Sequence, residues 1–380
     1  MKRILITLAA LCLLFAPLAA QSSPLSGFSF KDASAMAMGG TFTAVSEGFR
    51  SLYGNPTGFA AEDGELTILA PTVWAYFRPT EENIELLKRA SGEGDDALNA
   101  VDSLLTDNGL GAGANLGLGY VGGGLGIGLF VTGDAYASGQ TLAGAVADTD
   151  VQVNLVLGLA LPVNLFGLKL TVGGDLRPFY RMVGDFPLSE VLGPMMGSGE
   201  FSDILTSNDM ITGFGVAMDL GASLELGAFE FGLVVRDLAP SFRMYGNTIQ
   251  ELVDSGFVVS SGDDKGLYSL TPCVVAGVQY HPKLDKLSWL DPRVIVELRD
   301  PVSVIRDKES VFNLIHAGAE IKMFDVLALR GGVNEGWLSA GVGLDLFVLE
   351  INAAVFTEEL GWRPGQNGRS GVSLEVAIRI

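Results

Sequence analysis

The sequence predicts an all-β fold, a transmembrane antiparallel β-barrel of about fourteen strands. Three observations carry that expectation. Apolar and small or polar residues alternate with a period of two in about fourteen separate segments. The chain is apolar on average, with mean hydropathy +0.37. Yet beyond its first residues it has no run of about eighteen apolar residues, so helical spans are not expected. The gaps between the alternating segments are by turns short and long, as expected when tight turns lie on one side of a membrane and loops on the other, except that 281–292 is long where a turn is expected and 335–336 short where a loop is expected.

The elements follow in chain order. Residues 1–20 read as a secretory signal peptide: Lys2 and Arg3, an apolar core from Ile4 to Phe15, and a cleavage site near Ala20. Residues 21–64 are rich in small residues and carry scattered aromatics, without a strand pattern. Strands are expected near 66–76, 111–121, 124–135, 150–161, 166–179, 212–225, 228–237, 268–280, 293–300, 312–322, 325–334, 337–346, 348–356 and 371–380. On 111–121, Leu116, Leu118 and Tyr120 face one side, and Asn115, Gly117 and Gly119 the other. On 212–225, Phe214, Val216 and Leu220 face out and Asp219 faces in. The long connections hold helical patterns, capped at Thr80, Asp95 and Asn247, and an apolar cluster from Pro187 to Met196.

Composition excludes several function classes. The net charge is −20, or −22 once Lys2 and Arg3 leave with the signal peptide, so no nucleic-acid partner is expected. Of two cysteines, the mature chain keeps Cys273, so no internal disulfide is expected. The chain has only His281 and His316, no metal-spaced cluster, no Gly-x-Ser-x-Gly elbow and no P-loop. Neither an enzyme nor a cofactor or metal site is expected.

Residues 33–60, ASAMAMGGTFTAVSEGFRSLYGNPTGFA, resemble the N-terminal plug, or hatch, of the FadL-type outer-membrane proteins. The matching positions are Met38-Gly39-Gly40, Ala44-Val45, Tyr53 and Asn55-Pro56-Thr57-Gly58, where Thr57 replaces the usual alanine. That family includes long-chain fatty-acid transporters and the related PorV-like and TraF-like proteins. The resemblance implies a signal peptide (1–20), a lumenal hatch (21–64) and a fourteen-stranded barrel (65–380) in the outer membrane, in contact with its lipid and expected as a monomer. It implies uptake of long-chain fatty acids or similar hydrophobic molecules by facilitated diffusion, with lateral exit through a kinked third strand. The alternative is a PorV-like scaffold for protein secretion, with a protein partner.

The expected sites follow. Asn55, Pro56, Thr57 and Gly58 form the hatch motif, and Gly122, Gly123 and Gly124 precede the third strand, where a lateral gap is implied. Arg177 and Arg236 face inward by parity toward the external strand ends, and are expected as headgroup partners of a carboxylate. Phe28, Phe42, Phe49 and Tyr53 are expected to line a slot or to pack the plug. Leu188, Leu192, Met195 and Met196 are expected in an outer capture groove or a loop seal.

Overall fold

The computed structural model describes residues 23–380 except 93, 166, 189–208, 260–261, 285–286 and 307. The described chain opens with a short strand, β1 (Ser23–Leu25), and a helix, α1 (Ala33–Ala37). The wall begins with β2 (Glu65–Tyr76). A helical hairpin, α2 (Glu81–Ala90) and α3 (Asp95–Asn108), leads into β3 (Leu110–Gly122) and β4 (Leu125–Ser138). Then come β5 (Val146–Leu165), β6 (Leu168–Pro187), β7 (Asp209–Leu226) and β8 (Phe229–Leu238). A second hairpin, β9 (Phe242–Thr248) and β10 (Asp263–Leu270), carries α4 (Ile249–Asp254) between its strands. The wall resumes with β11 (Cys273–Tyr280), β12 (Leu290–Arg299), β13 (Ile315–Met323) and β14 (Leu327–Asn334). It ends with β15 (Trp337–Leu346), β16 (Leu349–Glu359) and β17 (Gly368–Arg379).

Fourteen of these strands, β2 to β8 and β11 to β17, form one closed antiparallel barrel. β8 pairs with β11, and β17 closes on β2. Alternation explains the wall strand by strand. On β3, Leu116, Leu118 and Tyr120 are exposed to the outside, while Asn115, Gly117 and Gly119 are buried inside. An exposed apolar belt of this extent suits lipid rather than water.

Three expectations change. β5 and β6 each run 20 residues, well past the apolar belt, because Asp148, Asp150, Arg181 and Asp185 continue the ladder where alternation in hydropathy fades. The single strand expected over 268–280 is two, β10 and β11, broken at Thr271-Pro272. Proline lacks the N–H that a ladder needs. The loop expected over 238–267 contains β9, which starts after Ala239-Pro240-Ser241.

The loop helices follow the expected caps in part. Asn83 N–H donates to Thr80 Oγ1 at 3.2 Å. Asp95 is the first residue of α3 rather than its cap. Thr248, not Asn247, caps α4, in a reciprocal box with Glu251. The Asn247 side chain turns instead to Thr212 Oγ1, at 2.9 Å.

Candidate functional site

The N-terminal segment fills the barrel and is seated on wall glycines. A side chain at Gly232 would place its Cβ 1.9 Å from the Ala44 carbonyl, and one at Gly221 would come 1.9 Å from Asn55 Oδ1. Further round the wall, Gly158 and Gly126 receive the Phe59 ring, and Gly332 and Gly318 receive the Met38 backbone. The inward glycines thus leave room for the hatch rather than for an open channel.

The hatch motif works as a pin. Asn55 Oδ1 accepts from Thr57 N–H at 3.1 Å and so starts the short helical turn of Pro56 to Ala60. Its Nδ2 donates to the Ala44 carbonyl at 2.7 Å and reaches the Leu233 carbonyl of β8 at 3.4 Å. Pro56 sits where a first-turn proline costs no hydrogen bond. Gly58 lies against Ser51 Oγ and the Ser46 carbonyl, with no space for a Cβ.

A buried polar network locks the hatch to itself. Asp32 caps α1 by accepting from Ser34 N–H at 2.7 Å. It also takes Arg50 Nε and Tyr53 Oη, each at 2.7 Å. Burial raises the Asp32 carboxyl, but Arg50 and the Ser34 and Tyr53 hydroxyls outweigh it and hold the group far below the usual carboxylate range.

Above the hatch lies a cavity of about 500 Å³. Phe28, Phe42 and Tyr53 line it, as does Arg236. Phe49 instead packs in an aromatic cluster with Phe30 and Phe130. Arg177 lies in mid-wall, not toward a strand end, because β6 extends so far beyond it. It is 1% exposed and paired with Asp219 and Asp237, with Phe28 5.0 Å from its guanidinium carbon. Arg236 donates to the Phe28 carbonyl at 3.2 Å. Leu188 is buried against Leu105, Ala137, Ala145 and Ala147, in a cluster under the α2–α3 hairpin. Leu192, Met195 and Met196 lie outside the described residues.

The implied gap at the third strand is corrected. β4 pairs without interruption to β3 and to β5. Gly122, Gly123 and Gly124, all at positive φ, make the tight turn before β4. Gly123 and Gly124 donate to the Ala61 and Phe59 carbonyls at 2.8 Å, so the glycine run joins barrel to hatch.

The wall is broken elsewhere. β7 pairs with β9 over Asp209–Gly213 and with β8 over Met218–Leu226. Phe214 to Ala217 have no strand partner on that side. An apolar cluster of Phe179, Ala217, Phe242, Met244 and Leu270 fills the break, with Leu25 packed against it. β1 runs parallel to β10 with Leu25 opposite Leu270, and Ser26 and Gly27, just after it, line the cavity. Sequence periodicity had no means of showing this, because β1 has only three residues.

Apart from Arg236, the charged cavity groups are not among the sites expected from sequence. Among the described lining residues, Lys31, Arg236, Arg299 and Arg369 face Asp32, Asp134, Asp150, Asp237, Glu335, Glu358 and Glu359. The adjacent pair Lys31-Asp32, among the aromatics of the hatch, was the available signal. Glu335, in the turn between β14 and β15, accepts from Glu359 N–H at 2.9 Å. Burial pushes its carboxyl up to about 7, and Glu358 and Glu309 add to the rise against Arg299. Its neutral form is favoured in the fold, so stability falls as pH rises from the ordinary carboxylate value to about 7, then levels off. Glu335→Gln is expected to flatten that slope and to stabilise the protein at pH 8 by about 2–3 kcal/mol. Thermal unfolding of both forms between pH 4 and 9 checks this; parallel pH profiles would refute it.

No protein-family model and no curated protein sequence matches the chain. Solved structures share its architecture. The Ralstonia pickettii toluene transporter TbuX is 15% identical, with TM-score 0.50 over 93% of this chain and 98% of that one. The monoaromatic hydrocarbon channel CymD is 12% identical, with TM-score 0.51 over 91% of this chain and 96% of that one. A TodX deltaS2S3 mutant, also a monoaromatic hydrocarbon channel, is 12% identical, with TM-score 0.51 over 93% of this chain and 98% of that one. At these identities the likeness is one of fold. A fourteen-stranded wall, a hatch seated within it and a cavity above the hatch together give this chain the fold of the FadL-type outer-membrane channels.

Proposed function

We propose that the protein passes small hydrophobic molecules through the outer membrane, holding them in the cavity and releasing them sideways at the break in β7 between its pairings with β9 and β8. The observation that carries this reading is the apolar cluster in that break, next to the cavity and closed from within by β1. The seated hatch supports it too, since a straight path would require removing the whole hatch from its glycine seats. Hydrocarbon burial, at about 0.8 kcal/mol per CH₂, supplies affinity without catalysis. Long-chain fatty acids are the ligands the sequence suggests, but Arg236 is engaged with the Phe28 carbonyl and Asp219, and Arg177 with Asp219 and Asp237. The proposal therefore centres on the hydrophobic body of the ligand. Uptake across the outer membrane, by a signal-peptide-bearing precursor that matures to a monomer, belongs to the same reading.

A tether tests it. With Cys273→Ser removing the native thiol, Leu25→Cys and Leu270→Cys put two cysteines on paired positions of β1 and β10. Oxidation is expected to stop flux of labelled toluene or oleate into liposomes, and reduction to restore it. Equal flux in the oxidised and reduced forms would overturn the exit route. If neither probe enters with the wild-type protein, and a secreted protein cross-links to it in cells, the PorV-like scaffold reading replaces transport.

A further inference from the structure

We propose that the cavity contains a binding site for an organic ammonium: an amine or quaternary ammonium group carried on an apolar body. The site is an aromatic cage that the hatch fills with its own lysine. Lys31 Nζ lies 6.0 Å from the ring centroid of Trp74, 5.6 Å from that of Tyr76 and 5.8 Å from that of Phe356, and pairs with Glu358. Ring faces attract a cation through their quadrupole, most strongly where water is excluded, and all three rings are buried.

The rings are held in place independently of the lysine. Trp74 Nε1 and Tyr76 Oη both donate to Asp134, at 2.7 and 2.6 Å, so a carboxylate stands behind the cage. Arg369 donates to the other oxygen of Glu358 at 2.7 Å and lies over Tyr76. Asn115 Nδ2 holds the Lys31 backbone carbonyl at 2.5 Å. The side chain alone, on a flexible four-carbon stem, can therefore leave while the backbone and rings stay. A ligand ammonium would take its place against Glu358.

The surrounding charge selects the same class. Of the seven carboxylates that line the described cavity, Asp32, Asp150 and Asp237 are paired with Arg50, Arg181 and Arg177. Around the cage itself Asp134, Glu358 and Glu359 face Lys31 and Arg369, a local excess of acid that favours an ammonium over a carboxylate. The inference rests on the cavity being the ligand site of the transport reading, and adds the chemistry of the headgroup.

The test is calorimetric titration of the full-length mature protein in nonionic detergent. The probes are benzyltrimethylammonium, its neutral isostere neopentylbenzene, and benzoate. Benzyltrimethylammonium is expected to bind about tenfold more tightly than neopentylbenzene, and benzoate the least tightly. Lys31→Ala, which removes the resident competitor, is expected to tighten the ammonium about tenfold. Glu358→Gln and Phe356→Leu are expected to weaken it while leaving neopentylbenzene affinity unchanged. Retained heat-modifiable gel migration shows that each variant is a closed barrel. The proposal is overturned if the ammonium binds no tighter than its isostere, or if Lys31→Ala leaves ammonium affinity unchanged. In those cases persisting neopentylbenzene binding would leave the transport reading standing. Wild-type protein that binds no probe would sink both.

Discussion

Gly232→Val is expected to lift the hatch from the wall and convert a closed barrel into a conducting one. A Cβ there would sit 1.9 Å from the Ala44 carbonyl oxygen, a contact that a shift of one flexible side chain cannot relieve. The Ala44 backbone has little freedom to retreat. Its carbonyl accepts from Asn55 Nδ2 at 2.7 Å, and its N–H donates to Glu297 at 2.7 Å. Overpacking costs about 1–3 kcal/mol, and each buried polar group left unsatisfied adds about 1–3 kcal/mol more. The sum is enough to populate an unseated hatch, so conductance in planar bilayers is expected to rise about tenfold or more. Gly331→Ala is the control: it neighbours the seat glycine Gly332 on β14 but faces away from the hatch, and a Cβ there meets only the Ser339 carbonyl at 3.9 Å. A Gly232→Val protein as silent as the wild type would show that the glycine seat does not hold the hatch shut.

Asp32→Ala is expected to unfold the hatch while the wall remains closed. Removing one partner of a buried ion pair costs about 3–5 kcal/mol, because the other charge stays buried and uncompensated. Here that charge is Arg50, left among the described residues with only the more distant Glu350 at 4.0 Å, and Tyr53 Oη and the first N–H groups of α1 also lose their acceptor. The wall carries its own closed ladder of backbone hydrogen bonds and does not pass through this network. Limited proteolysis is therefore expected to cleave residues 26–60 in the variant but not in the native protein, with unchanged heat-modifiable migration. The pH dependence follows from the sign of the shift. A carboxylate held below its unfolded value contributes stability that is present above that value and lost only as pH falls through the folded one. The native hatch should thus stay protease-resistant through mildly acid pH and loosen only in strong acid. Cleavage that begins at pH 5 in the native protein would contradict the role given to Asp32.

Particular residues explain how much of this was legible beforehand. Leu116, Leu118 and Tyr120 declare their outward face in the sequence, since lipid selects every second side chain and a strand puts those on one side. The Met38-Gly39-Gly40 and Asn55-Pro56-Thr57-Gly58 motifs marked the hatch, and their reasons are now physical. Gly39, at φ 71°, has the Val333 carbonyl where a Cβ would be, and Asn55 ties the Ala44 segment to its own turn and reaches the Leu233 carbonyl of the wall. Gly122 to Gly124 carried the right signal for a special backbone and the wrong interpretation. Glycine permits a bend, a tight turn or a close approach, and only the neighbours tell which applies. Arg177 was correctly placed on the inner face, but its depth depended on how far β6 continued through polar residues that hydropathy does not register.

Strand number, the two faces of the wall and the segment that plugs it are all written in the sequence. These follow from local rules, in which period-two alternation, turn spacing and a short motif each act within about ten residues. Only the tertiary structure places the break in the wall ladder and the side chains that meet around the cavity. β1 meets β10 across more than two hundred residues of chain, and Lys31 meets Trp74 and Tyr76 of β2 and Phe356 and Glu358 of β16, two strands far apart in sequence. Such contacts arise from closure of the barrel around the hatch. No local pattern encodes them, because each side chain taken singly would fit equally well into an ordinary packed interior.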